Sequence, residues 1–214
     1  AWSDGNGHGT HVAGTVLYNN PFVKILPVRV LDREGDGEIA PIAQGIVWAV
    51  DNGAQVINIS IGLSAENGPD LLPVHAAVQY AKSHDVVIVA AAGNDAEFGS
   101  PPAAPALFEE VIAVAATQNR EVAPFSNRNS YVDIATDGVD VLSSALGGGS
   151  LRMSGTSMAS PRVAAIAAGL RALNPTWTAD DIKDHLLATA NDRGAIGPDP
   201  VYGFGEMSTH RAFT

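Results

Sequence analysis

The sequence predicts an α/β domain with a mostly parallel, twisted sheet and helices on both of its faces. Two observations carry the prediction. Short apolar runs rich in β-branched residues alternate with segments of helical periodicity. Most of the runs also lack in–out alternation. Val86-Val87-Ile88-Val89-Ala90-Ala91-Ala92 contains no polar residue, as in strands covered on both faces.

In chain order, a glycine-rich loop (Gly5 to Gly7) runs into an apolar helix that opens near His8. A first strand is predicted over Ile25 to Leu31. Ile39 to Asp51 reads as a helix, with Ile42, Ile46, Val47 and Val50 along one stripe and Gly53 ending it. A strand at Val56 to Ser60 precedes a helix at Leu72 to Ser83, whose stripe is Val74, Val78 and Ala81. Strands follow at Val86 to Ala92 and Val111 to Ala116, with a weaker one at Tyr131 to Ala135. Two further helices are expected, Ser157 to Leu173 and Thr178 to Ala190. In the second, Thr178 is the N-cap, with Asp181 three residues on. Strand–helix–strand alternation implies right-handed crossovers. Most strands end in turn-forming or polar residues, namely Asp32, Ser60, Gly93-Asn94 and Thr117. A ligand site is therefore expected outside the strands' carboxyl ends.

Composition narrows the function. With 214 residues, 46% of them apolar and 16% charged, the chain suits one cored domain over residues 1–214 and is not disordered. A net charge of -11 excludes a phosphate-tracking nucleic-acid binder. The lack of cysteine excludes thiol catalysis, disulfides and cysteine-bound metals. No apolar run is long enough to cross a membrane, and no signal peptide is visible.

Three stretches carry candidate chemistry. In Gly5-Asn6-Gly7-His8-Gly9-Thr10-His11-Val12-Ala13-Gly14, His8 stands where loop becomes helix and can project into a cleft. Gly9 and Gly14 each cost about 1 kcal/mol within a helix, so another element is expected close to both. On these residues alone a catalytic histidine leads, with buried histidines bonded to backbone carbonyls and, last, half of a metal site as the alternatives. The second stretch is Met153-Ser154-Gly155-Thr156-Ser157-Met158-Ala159-Ser160-Pro161. Proline is best tolerated in a first helical turn, so the helix should begin near Ser157. Its free N–H groups and partial positive charge suit an oxyanion beside that serine. A plain N-cap serine is the alternative. In the third, Asn94 ends the most hydrophobic strand, where its amide can donate into the cleft or simply form a turn.

In this order, the three stretches resemble the signature of the subtilisin-like serine proteases. Val56-Ile57-Asn58-Ile59-Ser60-Ile61-Gly62, Val111-Ile112-Ala113-Val114, Phe125-Ser126 and Tyr202-Gly203-Phe204-Gly205 extend the resemblance over essentially the whole chain. It implies a three-layer subtilisin-like fold and a secreted serine endopeptidase acting on peptide or protein substrates through an acyl-enzyme. By similarity, Ser157 is the nucleophile, His8 the general base and then acid, and Asn94 an oxyanion donor beside the Ser157 N–H. Substrate would lie as an added strand between Gly35-Asp36-Gly37 and Ser60-Ile61-Gly62. Ala91, Ala92 and Gly93 would line the pocket for the residue before the scissile bond, with Asp95 at its rim. The Ala104-Pro105 bond is expected to be cis. Met158, next to the nucleophile, would make the enzyme sensitive to peroxide.

The chain departs from the family pattern in one respect. The family's order is Asp, His, Ser, and only seven residues precede His8. The domain is therefore expected to be N-terminally incomplete, the aspartate lying on a segment that is either a separate N-terminal partner or absent from the recorded sequence. A pseudoprotease or binding module is the alternative. Asp4 is expected to face solvent rather than replace the aspartate. In relatives the aspartate strand lies between the strands resembling Ile25–Leu31 and Val56–Ser60, so unpaired edges are expected there. No cofactor is expected for the chemistry. Structural calcium is an expectation only for the acidic loop Asp32 to Glu38.

Overall fold

The computed structural model describes residues 3–65 and 70–214. Helices α1 (His8–Asn19), α2 (Ile39–Asp51), α3 (Leu72–Ser83), α4 (Thr156–Leu173), α5 (Ala179–Ala188) and α6 (Thr209–Ala212) alternate with strands. The strands are β1 (Val56–Ile59), β2 (Leu63–Ser64), β3 (Val87–Ala91), β4 (Ala103–Ala104), β5 (Val111–Gln118), β6 (Glu121–Val122), β7 (Ile134–Asp137), β8 (Val141–Ser144) and β9 (Ser150–Met153). Strands β1, β3, β5 and β7 pair in parallel in that order, and the short β6 runs antiparallel to the end of β5.

Both sheet faces are covered, as the uninterrupted apolar runs predict. Val87 and Val89 of β3, with Ile112 and Val114 of β5, pack against Val163, Ile166 and Leu170 of α4 and Ile182 and Leu186 of α5. The alternate residues Ile88, Ala90 and Ala113 face Ile42, Ile46 and Val50 of α2 and Val74, Val78 and Ala81 of α3. Each fully buried valine, leucine or isoleucine contributes roughly 1.5–3 kcal/mol relative to exposure. The result is the three-layer helix–sheet–helix fold. The capping box of α5 forms as expected, with Thr178 and Asp181 exchanging bonds. The Ala104-Pro105 bond is cis.

Three expectations need correction. Ile25 to Leu31 joins no strand ladder, and Ile25 and Leu26 are 38% and 39% exposed. An extended segment becomes a strand only when a neighbour takes its N–H and C=O groups. Among the described residues, the only strand beside β1 is β3, so none lies between β1 and this segment. The weak strand at Tyr131 to Ala135 begins later, at Ile134. Here the Asp133 N–H bonds the Ala113 carbonyl, while the Asp133 carboxylate accepts from the Ala113 N–H, so the ladder starts only after this side-chain link. The third concerns Gly9, whose added Cβ would meet only Asp4 Oδ2 at an ordinary 3.7 Å. Gly14 does mark a close approach, since a Cβ there would lie 2.5 Å from the hydroxyls of Ser143 and Ser144.

Candidate active site

The α1 helix begins at His8 because a carboxylate holds the loop before it. Asp4 accepts hydrogen bonds from the N–H groups of Asn6 (2.9 Å), Gly7 (2.8 Å) and Thr10 (2.8 Å) and from the Thr10 hydroxyl (2.6 Å). Burial alone would raise its pKa. The Thr10 hydroxyl and the three N–H groups outweigh that and hold the carboxyl well below the usual range. Asp4 thus does not simply face solvent. It is half-buried and satisfies donors at the start of α1.

His11 fixes the helix from beneath. It is fully buried, and its Nε2 lies 3.0 Å from the Val141 carbonyl and 3.1 Å from the Leu151 carbonyl. Two carbonyl partners require that nitrogen to carry the proton. Of the readings open in the sequence, His11 takes that of a buried histidine. The Ser143 hydroxyl bonds the His11 carbonyl at 2.7 Å, and Asn20 at the far end of α1 donates to the Ala165 carbonyl of α4 at 3.1 Å. This frame sets the place of His8, whose half-buried ring has no hydrogen-bond partner among the described residues. Burial lowers its pKa, the nearby His11 lowers it further, and Asp4 pulls it back up. The lowered pKa favours the neutral imidazole, the form a general base needs.

Ser157 lies in the first turn of α4, which begins at Thr156, one residue before the expected start. Pro161 falls in the second turn rather than the first. A residue at this position would ordinarily donate its N–H to the carbonyl of Ser157. Proline cannot, and that carbonyl accepts the Ser60 hydroxyl instead, at 2.8 Å. Ser60 Oγ also meets Ser160 Oγ at 2.9 Å and accepts from Asn58 at 2.9 Å. The helix break thus becomes an anchor between β1 and the turn bearing Ser157. The Ser157 hydroxyl donates to the Ser60 carbonyl at 3.2 Å. Met158 is 1% exposed and sits in the core.

Asn94 follows β3 and is held to the same turn. Its Oδ1 accepts the Thr156 N–H and the Thr156 hydroxyl, both at 2.9 Å, and the Thr156 oxygen accepts the Gly93 N–H at 3.2 Å. These donors require the amide oxygen to face Thr156, which leaves Nδ2 turned away from that bond. A Cβ built on Gly155 (φ 156°) would lie 3.4 Å from Asn94 Nδ2 and 3.7 Å from the Ser157 nitrogen. Asn94 Nδ2 and the Ser157 nitrogen therefore both lie near Gly155.

Those groups border a cavity of about 240 Å³ lined by Gly62, Ser64, Ala91, Gly93, Asn94, Asp95, Pro101, Pro102, Ala103, Thr156 and Ser157. Of the predicted pocket residues, Ala91 and Gly93 line it and Ala92 does not. Successive residues at a strand end face opposite ways. Ala92 is fully buried on the other side, among Ala115, Val132, Ala135 and Tyr202. Gly62 lines the cavity, whereas the Ile61 side chain packs towards the α2–α3 core. Asp95 lies on the lining, as expected. Gly35 stands beside Asn6 of the His8 loop, with the Asn6 amide donating to the Arg33 carbonyl at 3.0 Å. The wall of Pro101, Pro102 and Ala103 was not foreseen, because nothing in its sequence marks it as facing a site. A larger open groove of about 570 Å³ between α2 and α3 borders none of the motif residues.

In the acidic loop, Asp32 Oδ1 accepts the N–H groups of Glu34, Gly35 and Asp36. Among the described residues, no three acidic or histidine side chains converge as a metal site. No described helix is long and apolar enough to cross a membrane.

Comparison with known proteins identifies the family. The sequence profile of the subtilase family, peptidase S8, matches residues 2–205. Subtilisin BL of Lederbergia lenta is 38% identical over 98% of this chain and 78% of its own length. Alkaline elastase YaB of a Bacillus species is 40% identical over 98% of this chain, which spans 56% of that relative. Among solved structures, sphericase superposes with a TM-score of 0.81 at 34% identity, covering 96% of this chain and 78% of its own. A lanthipeptide protease superposes with a TM-score of 0.86 at 27% identity, covering 96% of this chain and 74% of its own. The chain belongs to the subtilase family of subtilisin-like serine endopeptidases.

Proposed function

We propose that this chain hydrolyses peptide bonds with Ser157 as nucleophile and His8 as general base and acid. The Ser157 hydroxyl attacks the carbonyl carbon while its proton passes to His8. The oxyanion gathers the Ser157 N–H and Asn94 Nδ2. His8 then protonates the leaving amine, and water hydrolyses the acyl-enzyme. The substrate strand runs between Gly35–Gly37 and Ser60–Gly62, and the side chain before the scissile bond enters the 240 Å³ cavity. One observation supports this reading: Asn94 and Ser157 line the same cavity, and Asn94 Nδ2 and the Ser157 nitrogen both lie near Gly155. The cavity's small, apolar walls suit a sizeable apolar side chain. The family resemblance supports secretion, which a signal peptide in the full reading frame would test.

The orienting carboxylate is the remaining part of the triad. No described side chain bonds the His8 ring. Among the described residues β1 has a strand partner on one side only, and the buried Asn58 Oδ1 at that opening has no hydrogen-bond partner. A separate segment bearing the aspartate and pairing with β1 fits that opening. The same observation supports the second reading, a module that binds peptides and does not turn them over.

A fluorophosphonate probe tests the proposal. Covalent labelling of Ser157, lost in Ser157→Ala, supports a protease. An intact, folded protein that never labels supports the binding module. A peptide carrying an Asp-Ser-Gly or Asp-Thr-Gly strand, added in trans, should accelerate labelling by up to about four orders of magnitude, the scale of a missing triad carboxylate.

A further inference from the structure

We propose that Asn127 is a positioning residue for this reaction, a buried strut that fixes the loop bearing Asn94 against the opposite wall of the specificity cavity. The inference rests on the catalytic reading above. The cavity has two walls that no strand pairing joins directly. One is Gly93-Asn94-Asp95, and the other is Pro101-Pro102-Ala103. The Asn127 side chain bridges them from behind. Its Oδ1 accepts the Asp95 N–H at 2.7 Å, and its Nδ2 donates to the Pro101 carbonyl at 3.0 Å. Its own N–H donates to the Gly93 carbonyl at 3.0 Å. The residue is completely buried, so no water substitutes for a lost bond without rearrangement.

Two neighbours support the same role. A Cβ on Gly93 (φ 108°) would lie 2.3 Å from Asn127 Nδ2, so this position has no side chain where the strut crosses it. The Tyr131 hydroxyl forms a parallel bridge, donating to the Ala92 carbonyl at 3.0 Å and accepting the Ala103 N–H at 3.3 Å. Wall separation, and with it the aim of the Asn94 amide, is thereby set by side chains that do not border the cavity. Misplacing a catalytic group by about 1 Å costs on the order of a hundredfold in rate. A change of one methylene in a pocket shifts discrimination by about tenfold or more.

The test uses the protein encoded by the full reading frame, with fluorophosphonate labelling of Ser157 as the reference. It measures kcat and KM on peptide substrates that differ only in having Ala, Leu or Phe before the scissile bond. Asn127→Ala should lower kcat by about tenfold or more, with a smaller effect on KM, and shift the Phe-to-Ala preference by at least about threefold. Asn127→Asp keeps the acceptor for Asp95 and should fall between the two. If Asn127→Ala unfolds, Tyr131→Phe removes one bridge with little change of shape, and the same preference ratio is read. A lower Tm with kcat and the preference ratio within about twofold of the parent would overturn the proposal in either variant. A parent protein that never labels overturns the catalytic reading and this inference together. Labelling that persists unchanged in folded Asn127 variants overturns only the strut.

Discussion

Asp4→Ala separates a structural carboxylate from a catalytic one. Asp4 is the acidic residue nearest His8 in sequence, and the His8 ring has no carboxylate partner among the described residues. Both Asp4 oxygens are occupied, Oδ1 by the N–H groups of Asn6 and Gly7 and Oδ2 by the N–H and hydroxyl of Thr10. Its role is therefore that of a helix cap. Loss of a capping side chain costs about 0.5–2 kcal/mol. The upper half applies here, because four charge-assisted bonds are lost at once and solvent screens the half-buried group only in part. For a chain of this length, about 1–2 kcal/mol corresponds to a fall in Tm of roughly 2–8 °C. Because the folded pKa is depressed, the stabilisation is present above the unfolded pKa of 3.8 and is lost as the pH falls below it. Asp4→Ala should therefore match the parent in Tm in strong acid and fall below it near pH 7. The assay pairs thermal unfolding with the labelling rate of Ser157 at a temperature where both proteins are folded. The labelling rate should stay within about threefold of the parent. An unchanged Tm with labelling reduced by about four orders of magnitude would make Asp4 the triad carboxylate and refute this assignment.

Three other outcomes follow from the same geometry. Asn94→Ala should reduce kcat by about 10²–10³, or roughly 3–4 kcal/mol, the magnitude known for the equivalent loss in subtilisin itself; stopped-flow acylation with Tm as control measures it, and an unchanged rate in a folded variant would remove Asn94 from the oxyanion site. The labelling rate should rise with pH to a midpoint below 6.5, because burial and His11 lower the His8 pKa; a midpoint above that value, with no added carboxylate, would mean another group governs the rate. The same sign means that stability contributed by neutral His8 is full above about pH 6.5 and declines as the pH falls towards its lowered pKa. Gly14→Ala gains about 1 kcal/mol of helix propensity and loses about 1–3 kcal/mol to overpacking, since its Cβ would meet both serine hydroxyls and Ser144 Cβ at 2.8 Å. A lower Tm is expected in differential scanning calorimetry, and a higher one would show that β8 gives way freely.

The local setting of the three candidate stretches could be read from the sequence, while their catalytic roles came from the family resemblance alone. A glycine loop entering a helix places His8, a helix start places Ser157, and a strand end places Asn94. The strand at Ile25 to Leu31 was misjudged for a physical reason. Its residues have strand propensity, but propensity forms no ladder without a neighbour to take the backbone bonds. Ala92 was misplaced among the pocket residues because composition does not say which face a strand-end residue takes. The β8–β9 hairpin went unread as well. Its strands expose Leu142 and Leu151 and lack the apolar continuity that marked the core.

What the sequence determined by itself was local and periodic. It specified which segments coil, which extend in a two-sided apolar core, and where proline and glycine break them. The tertiary structure decided everything that depends on distant partners. It gave the Ser157 carbonyl to Ser60, across 97 residues, because Pro161 has no N–H to offer. It engaged both oxygens of Asp4 in capping α1, and it set Asn127 between two walls that adjoin only in the folded chain. A hydrogen bond depends on distance and direction in space, and residue order fixes those only within a turn or two.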